Sequence, residues 1–395
     1  ALRFRKEWVG ALAYGLLFLT FFIFEVKSTG KLALLPIAVS FVLLVWKLRW
    51  IHLGTMGVTI LYLLVFLSSG SSPTQSGLFL ILLWGMMSAI PFLYRGNNER
   101  EEILSALFSL INMVGFVGCG LRFLNLFGFE QYWWLFASCG VLYAIQSEFS
   151  LRRKSTGTYG VFMVGTVILL TWTGAKLFSP PWEALSWMGL AFGILLYGMK
   201  RRHFLPRFLA HLLLLCAYFK TWFLVGTGAQ MIPLGNWEIS VRAIPALVGA
   251  LLLYGHASLS FGLSDENKDE KQAALLFFPW MGAVALATTF IVYSPSLGTA
   301  LLLSGAALLL VEAGKKFSSS HLQGQGVLFC LCAFGFVSVV NLNADGSIYG
   351  ISKRLLSIVP VLGIWFYNRN RIGASLFHLG SILSVGFLVG VLSLL

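Results

Sequence analysis

The sequence predicts an all-α, polytopic membrane protein of about fifteen transmembrane helices built from repeated helical hairpins, and three observations carry that expectation. Of 395 residues 58% are hydrophobic and only 11% charged, with a mean hydropathy of +0.83, which leaves too little polar surface to coat a soluble globule. Apolar runs of about 17 to 24 residues, long enough to cross a bilayer, follow one another along the chain. These runs also end on a schedule. An aromatic residue followed by a basic cluster recurs at Trp46, Tyr94, Tyr143, Tyr197 and Tyr254, in steps of 48, 49, 54 and 57 residues. Tyr367 comes 113 residues later, two further steps with Val311, Lys315 and Lys316 midway. Such a period is too short for a domain and fits two spans with their turns.

In chain order the expected spans are 8–26, 31–46, 50–68, 76–94, 103–124, 132–149, 157–178, 182–199, 205–225, 241–262, 273–294, 297–311, 326–341, 355–367 and 373–394. The first run follows Arg3, Arg5 and Lys6 as a signal peptide would, but it lacks a small-residue cleavage site and leads into another span, so a retained helix is expected. The chain opens on Ala1 rather than Met and ends, still apolar, at Leu395, so flanking segments are expected beyond its ends. The longest polar stretches, 226–240, 263–272, 315–325 and 341–353, are too short to hold a core, and residues 1–395 read as one transmembrane domain. Asp265 to Lys271 reads as a solvated loop, its acids matching no metal-loop spacing.

Alternate loops differ in charge. The N-terminus and every second loop carry 20 of the 28 Lys and Arg residues. Basic residues stay on the cytoplasmic face during insertion, so the expectation is a bacterial inner-membrane protein with a cytoplasmic N-terminus and an external C-terminus. The net charge of +13 is then mostly topology and implies no nucleic acid, while a basic inner face attracts anionic lipid. The five cysteines, Cys119, Cys139, Cys216, Cys330 and Cys332, all lie in apolar runs and read as buried small hydrophobes, not as disulfides or metal ligands.

Three middle units share more than an exit tyrosine: Arg122 with Glu130, Lys176 with Trp182 and Glu183, and Lys220 with Trp237 and Glu238, each followed by a glycine and then Tyr143, Tyr197 or Tyr254. In each unit a cation closes the outgoing helix and an acid opens the returning one, as helix dipoles favour. The expected hairpins are 103–149, 157–199 and 205–262. Two readings of these residues are open. Lys176 with Glu183 and Lys220 with Glu238 are interfacial ion pairs beside aromatic headgroup anchors, or Arg122, Lys176, Lys220 and Arg242 line an outward groove for a phosphate or lipid headgroup. Lys220, between Phe219 and Trp222, either snorkels outward or meets a buried partner such as Glu238.

His211 and His256 lie near the basic ends of consecutive spans, where a hairpin brings them toward each other; they are satisfied structural residues, or a haem or proton-relay pair. No cofactor is implied, because no haem-handling tryptophan motif accompanies them. G-x-S-x-G, H-E-x-x-H and Walker-type loops are missing. The outer loops also lack the size and charge of those in membrane glycosyltransferases, polymerases and ligases.

The segments RFLAHLLLLCAYFKTWFLV (207–225) and VRAIPALVGALLLYGH (241–256) resemble the repeated unit of a bacterial family of very hydrophobic multi-span proteins, a domain of unknown function. In that family a basic residue opens a helix, a lysine stands near its outer end, and an arginine-started return helix ends in an aromatic residue and glycine. Arg207, Lys220, Arg242 and Tyr254 with Gly255 stand in those places, over about the middle half of the chain. The acid that follows the family's lysine is replaced here by Thr221, Trp222 and Phe223. The resemblance implies a repeat-built bacterial inner-membrane protein and supplies no activity. The leading expectation is a non-catalytic scaffold or partner subunit of a cell-envelope assembly, in contact with membrane lipids and other membrane subunits. The alternatives are a transporter or flippase of a lipid or lipid-linked anion, and a membrane enzyme acting on a lipid-linked substrate.

Overall fold

A computed structural model describes residues 9–10, 13–14, 16, 38–45, 47, 51–67, 73–93, 99–127, 133–223, 231–234, 237–240, 242–260, 262, 268–341, 347–348 and 351–369. Its helices are α1 (38–45), α2 (Ile51–Leu67), α3 (Pro73–Leu93), α4 (Glu99–Phe127), α5 (Trp133–Arg152), α6 (Thr156–Leu177), α7 (Pro180–Arg201), α8 (Phe204–Phe223), α9 (Ala243–Ser260), α10 (Lys268–Tyr293), α11 (Ser296–Lys316), α12 (Ser320–Val339) and α13 (Lys353–Arg369). Each overlies one expected run, from 31–46 through 355–367; the last expected run lies wholly, and the first almost wholly, outside the described residues. Among the described residues seven helices, α4, α6 and α8 to α12, are long and apolar enough to cross a membrane, and the chain is a polytopic α-helical membrane protein.

Two stretches depart from expectation. Part of 226–240, read as a polar stretch too short to hold a core, forms an antiparallel hairpin of β1 (Met231–Leu234) and β2 (Trp237–Ser240), with Ile232 opposite Ile239. Two short apolar-rich runs around Gly235 and Asn236, a pair suited to a two-residue connection, explain it. A second, two-residue pairing joins β3 (Ser347–Ile348) to β4 (Ile351–Ser352). Within the acidic run 265–271, Lys268 to Lys271 are not loop: α10 begins at Lys268, which places Asp269 and Glu270 in its first turn, where the positive end of the helix dipole favours them.

The helices fall into two compact units, Ala1–Leu177 and Phe178–Leu395, although no linker divides the apolar runs in the sequence. In unit 1 the core gathers Phe41, Phe79, Phe108, Tyr143 and Phe162, and a few polar side chains thread through it. Trp84 Nε1 donates to the Tyr143 hydroxyl at 2.7 Å, Tyr62 donates to Asn112 Oδ1 at 2.7 Å, and Asn112 Nδ2 donates to Ser88 Oγ at 2.9 Å. Tyr143 is therefore not the headgroup-level anchor expected of an exit tyrosine. It is fully buried, its hydroxyl satisfied by Trp84 and its ring seated over Gly165, where a side chain would collide with it.

The closest packing joins helices across the basic turns: α5 with α6, and in unit 2 α7 with α8, α9 with α10 and α11 with α12. Hairpins closed across the outer turns, such as the expected 205–262, are not the tightly packed pairs, since α8 and α9 touch little. The reason lies in the turns. Lys154, Arg202 and Ser318 each adopt a left-handed conformation, with φ of 59°, 52° and 51°. Each sits inside the same pair of bonds: Ser155 N to Ser150 O and Lys154 N to Leu151 O, His203 N to Gly198 O and Arg202 N to Met199 O, Ser319 N to Gly314 O and Ser318 N to Lys315 O. This double closure is the Schellman motif, and it reverses the chain within a few residues, forcing the flanking helices together. Left-handed backbone costs a side-chain-bearing residue about 1–2 kcal/mol, of which glycine gives back about 0.5–1 through its greater unfolded freedom. Ser318→Gly is accordingly expected to stabilise the protein by about 0.5–1 kcal/mol, measurable as a raised unfolding midpoint in detergent.

Small residues set the approach of α7 to α9. Met188, Phe192 and Met199 of α7 lie over Gly249 and Gly255 within α9 and over Gly262 just past its end. Beyond Met188 a shallow cleft opens between α7, α8, α9 and α10, lined by Tyr218, Thr221, Gly249, Leu253 and Thr288.

Candidate functional site

Polar side chains gather at both ends of the helix group that opens unit 2. At the end away from the basic turn, Lys220 Nζ pairs with Glu183 Oε1 and stands 4.3 Å from the centre of the Trp187 ring. Glu183 belongs to the first turn of α7 and Lys220 to the last turn of α8, so both helix dipoles support the pair. Its register follows from the turn: Glu183 lies eighteen residues before Arg201, and Lys220 eighteen after Arg202. Two antiparallel helices of equal rise bring those positions level.

The partner of Lys220 is thus Glu183, and the expected pairing of Glu183 with Lys176 gives way to it. Lys176 is exposed in the last turn of α6, in unit 1. Arg242 stands half-buried immediately before α9, its carbonyl accepting from Ala246 N at 3.2 Å. The side chains of Arg122 and Glu238 lie outside the described residues.

Glu183 is only 6% exposed, so this is not a screened surface pair. Lys220→Met is expected to cost about 1–3 kcal/mol, the penalty for leaving a buried acceptor without its charged donor, rather than the 0–1 kcal/mol of an exposed pair. Equilibrium unfolding in mixed micelles measures the difference.

The second cluster lies at the basic end. Pro206 and the other first-turn residues of α8 lead into Arg207 and, one turn on, His211 on the same face. His256 lies one turn before the end of α9, and Glu270 in the first turn of α10, so the reversal between α9 and α10 returns both to the same end. Arg207 grips Glu270 with two bonds, Nε to Oε1 at 2.8 Å and Nη2 to Oε2 at 3.0 Å. His211 Nε2 reaches Glu270 Oε1 at 3.3 Å, and its Nδ1 lies 2.7 Å from His256 Nε2. Phe278 closes the group, its ring centre 5.3 Å from that of His211 and 4.7 Å from that of His256. Arg207 is 2% exposed and His256 1%. A forked guanidinium–carboxylate contact this deep is the geometry that lets two opposite charges leave water together.

The structure therefore brings His211 and His256 together and adds two members. Arg207 entered the sequence reading as the opener of a helix, and Glu270 was hidden inside a charged run read as loop. The only local sign of Glu270's role was its place beside Asp269 at the start of an apolar run, an N-terminal helix signature. The facing imidazole nitrogens of His211 and His256, 2.7 Å apart, are bonded to each other. Among the described residues no group of His, Cys, Asp and Glu is arranged to hold a metal.

The cysteines divide: Cys119, Cys139 and Cys330 are buried, Cys330 Sγ accepting from Asn368 Nδ2 at 3.6 Å, whereas Cys332 is half-buried and Cys216 is exposed. Cys216 is no core residue because its face of α8 turns outward with Leu212 and Phe219. Comparison of the chain with protein-family models, curated proteins and solved structures returns no match.

Proposed function

We propose that the protein is a non-catalytic integral-membrane scaffold or partner subunit of a bacterial cell-envelope assembly, with about fifteen spans, a cytoplasmic N-terminus and an external C-terminus. One observation carries this reading. In the helices that open unit 2, Lys220 is spent on Glu183 and Arg207 on Glu270, while large apolar side chains such as Phe208, Leu251 and Leu309 stay exposed for lipid or for other spans. Photo-crosslinkers at Phe208, Leu251 and Leu309, used in native membranes, are expected to trap discrete protein partners by mass spectrometry. Cross-links to lipid alone, with a monodisperse chain after purification, would remove the partner-subunit reading.

The basic end of the helices is assigned to the cytoplasm by the charge asymmetry of the loops. Single cysteines at Ser264 and Thr227, in a background without the five native cysteines, are expected to label from opposite sides. Labelling of both from outside would show that the count of spans between them is wrong.

Transport of a lipid or lipid-linked anion is the second reading, favoured by the cleft beside Thr221 and Thr288, next to Lys220. Lys220→Met separates the two readings. Lost lipid binding in a variant that still folds supports transport, and unchanged lipid binding leaves the scaffold.

A further inference from the structure

The neutral state of the basic-end cluster has only one consistent arrangement of hydrogens. Glu270 receives both arms of Arg207 and is held as a carboxylate, an acceptor only. His211 Nε2 faces that carboxylate and so carries the hydrogen, which leaves Nδ1 of the same ring as a lone pair. Across the 2.7 Å contact His256 Nε2 must then be the donor. The opposite order would set a lone pair of His211 against the Glu270 carboxylate and leave an N–H of His256 buried without an acceptor. Each ring therefore carries its hydrogen on Nε2, in a directed chain from His256 through His211 to Glu270. The chain ends at a bare lone pair: His256 Nδ1 is buried and has no hydrogen-bond partner.

We infer that the His211–His256 pair is a proton-binding site, loaded at His256 Nδ1 and connected through His211 to Glu270. A proton bound there forms an N–H bond at His256 Nδ1. As His256 Nε2 releases its hydrogen across the 2.7 Å contact, His211 Nδ1 gains one, and His211 then carries hydrogen on both nitrogens, with Nε2 still donating to Glu270 Oε1. Two N–H bonds form and one breaks, and the one added charge passes from His256 to His211, where it faces the Glu270 carboxylate. The charged groups facing the pair among the described residues are Arg207 on α8 and Glu270 on α10, which cancel, so the bound proton is the cluster's net charge. From α7, which packs on α9, the side chains turned toward it are the apolar Met188, Phe192 and Met199. The ligand is a proton, and the inference holds for a scaffold and for a transporter alike.

The test uses the full chain in lipid nanodiscs with 15N-labelled histidine. Solid-state NMR at about pH 8 is expected to show both rings hydrogenated at Nε2, with an N–H···N signature linking His211 Nδ1 to His256 Nε2. On titration to about pH 3, through and below the ordinary imidazole range, the wild type is expected to take up one proton per chain more than His256→Phe, which keeps an aromatic ring and loses both nitrogens. Nε2 and Nδ1 of the pair should shift together in that titration. Hydrogen on Nδ1 of either ring at high pH, or two rings that stay neutral to the end of the titration, would overturn the site. The wild-type spectra decide this even if His256→Phe fails to fold.

Discussion

Glu270→Leu is expected to destabilise unit 2 by about 3–5 kcal/mol, the cost of leaving a buried charge without its partner. Arg207 is 2% exposed, and both arms of its guanidinium end on the Glu270 carboxylate, so the variant strands a cation that can neither reach water nor lose its proton. His211 loses its acceptor at the same time. The paired variant Arg207→Leu with Glu270→Leu is expected to recover most of the loss, because two apolar side chains of similar bulk need no solvation. Equilibrium unfolding in mixed micelles measures all three proteins. A loss below about 1 kcal/mol for Glu270→Leu would mean that water reaches the pair, and that it behaves as a surface salt bridge.

The second large effect is steric. Gly326 lies buried in α12 against α11, and a side chain there would meet Ala307 O at 2.9 Å and Val311 N at 3.1 Å. Those are backbone atoms of a helix and cannot rotate away. Gly326→Leu must push α11 and α12 apart, and the expected cost is about 3 kcal/mol, the upper end for overpacking a core. Gly324, two residues earlier on the same helix, has nothing within 4 Å of the corresponding position. Gly324→Leu is the matched control. It is expected to leave stability unchanged or to raise it by up to about 1 kcal/mol, since leucine is the better helix former. Equal losses at the two positions would show that the helix–helix contact is not what Gly326 serves.

Most of the architecture was legible because crossing a bilayer is a one-dimensional constraint. A run of apolar residues such as 205–225 must satisfy its backbone within itself, so length and hydropathy alone announce a helix, and α8 spans Phe204–Phe223. The dipole logic at helix ends was legible for the same reason: Glu183 and Lys220 lie in the terminal turns that their charges suit. Which acid meets which lysine was not. That depends on which neighbours lie side by side, and the two-bond turn at Arg202 decides it by locking α8 against α7.

Tyr143 and Glu270 show the same limit from opposite sides. In the sequence Tyr143 is one of a set of exit tyrosines at a membrane boundary, and only the positions of Trp84 and Gly165 reveal that it is buried. Glu270 belongs to a charged run, and only the return of α10 beside α8 turns it inward onto Arg207.

The sequence by itself determined that the chain is helical and membrane-embedded, where its apolar runs lie, and which residue types close them, because each follows from a segment's own composition and its need to pair its own backbone. The tertiary structure alone decided the partners: the Lys220–Glu183 pair, the Arg207–Glu270 fork and the His211–His256 contact. Each joins residues from different helices. A side chain's partner is set by turn geometry and by how closely small residues let helices approach, and neither is written in the hydropathy of any one segment.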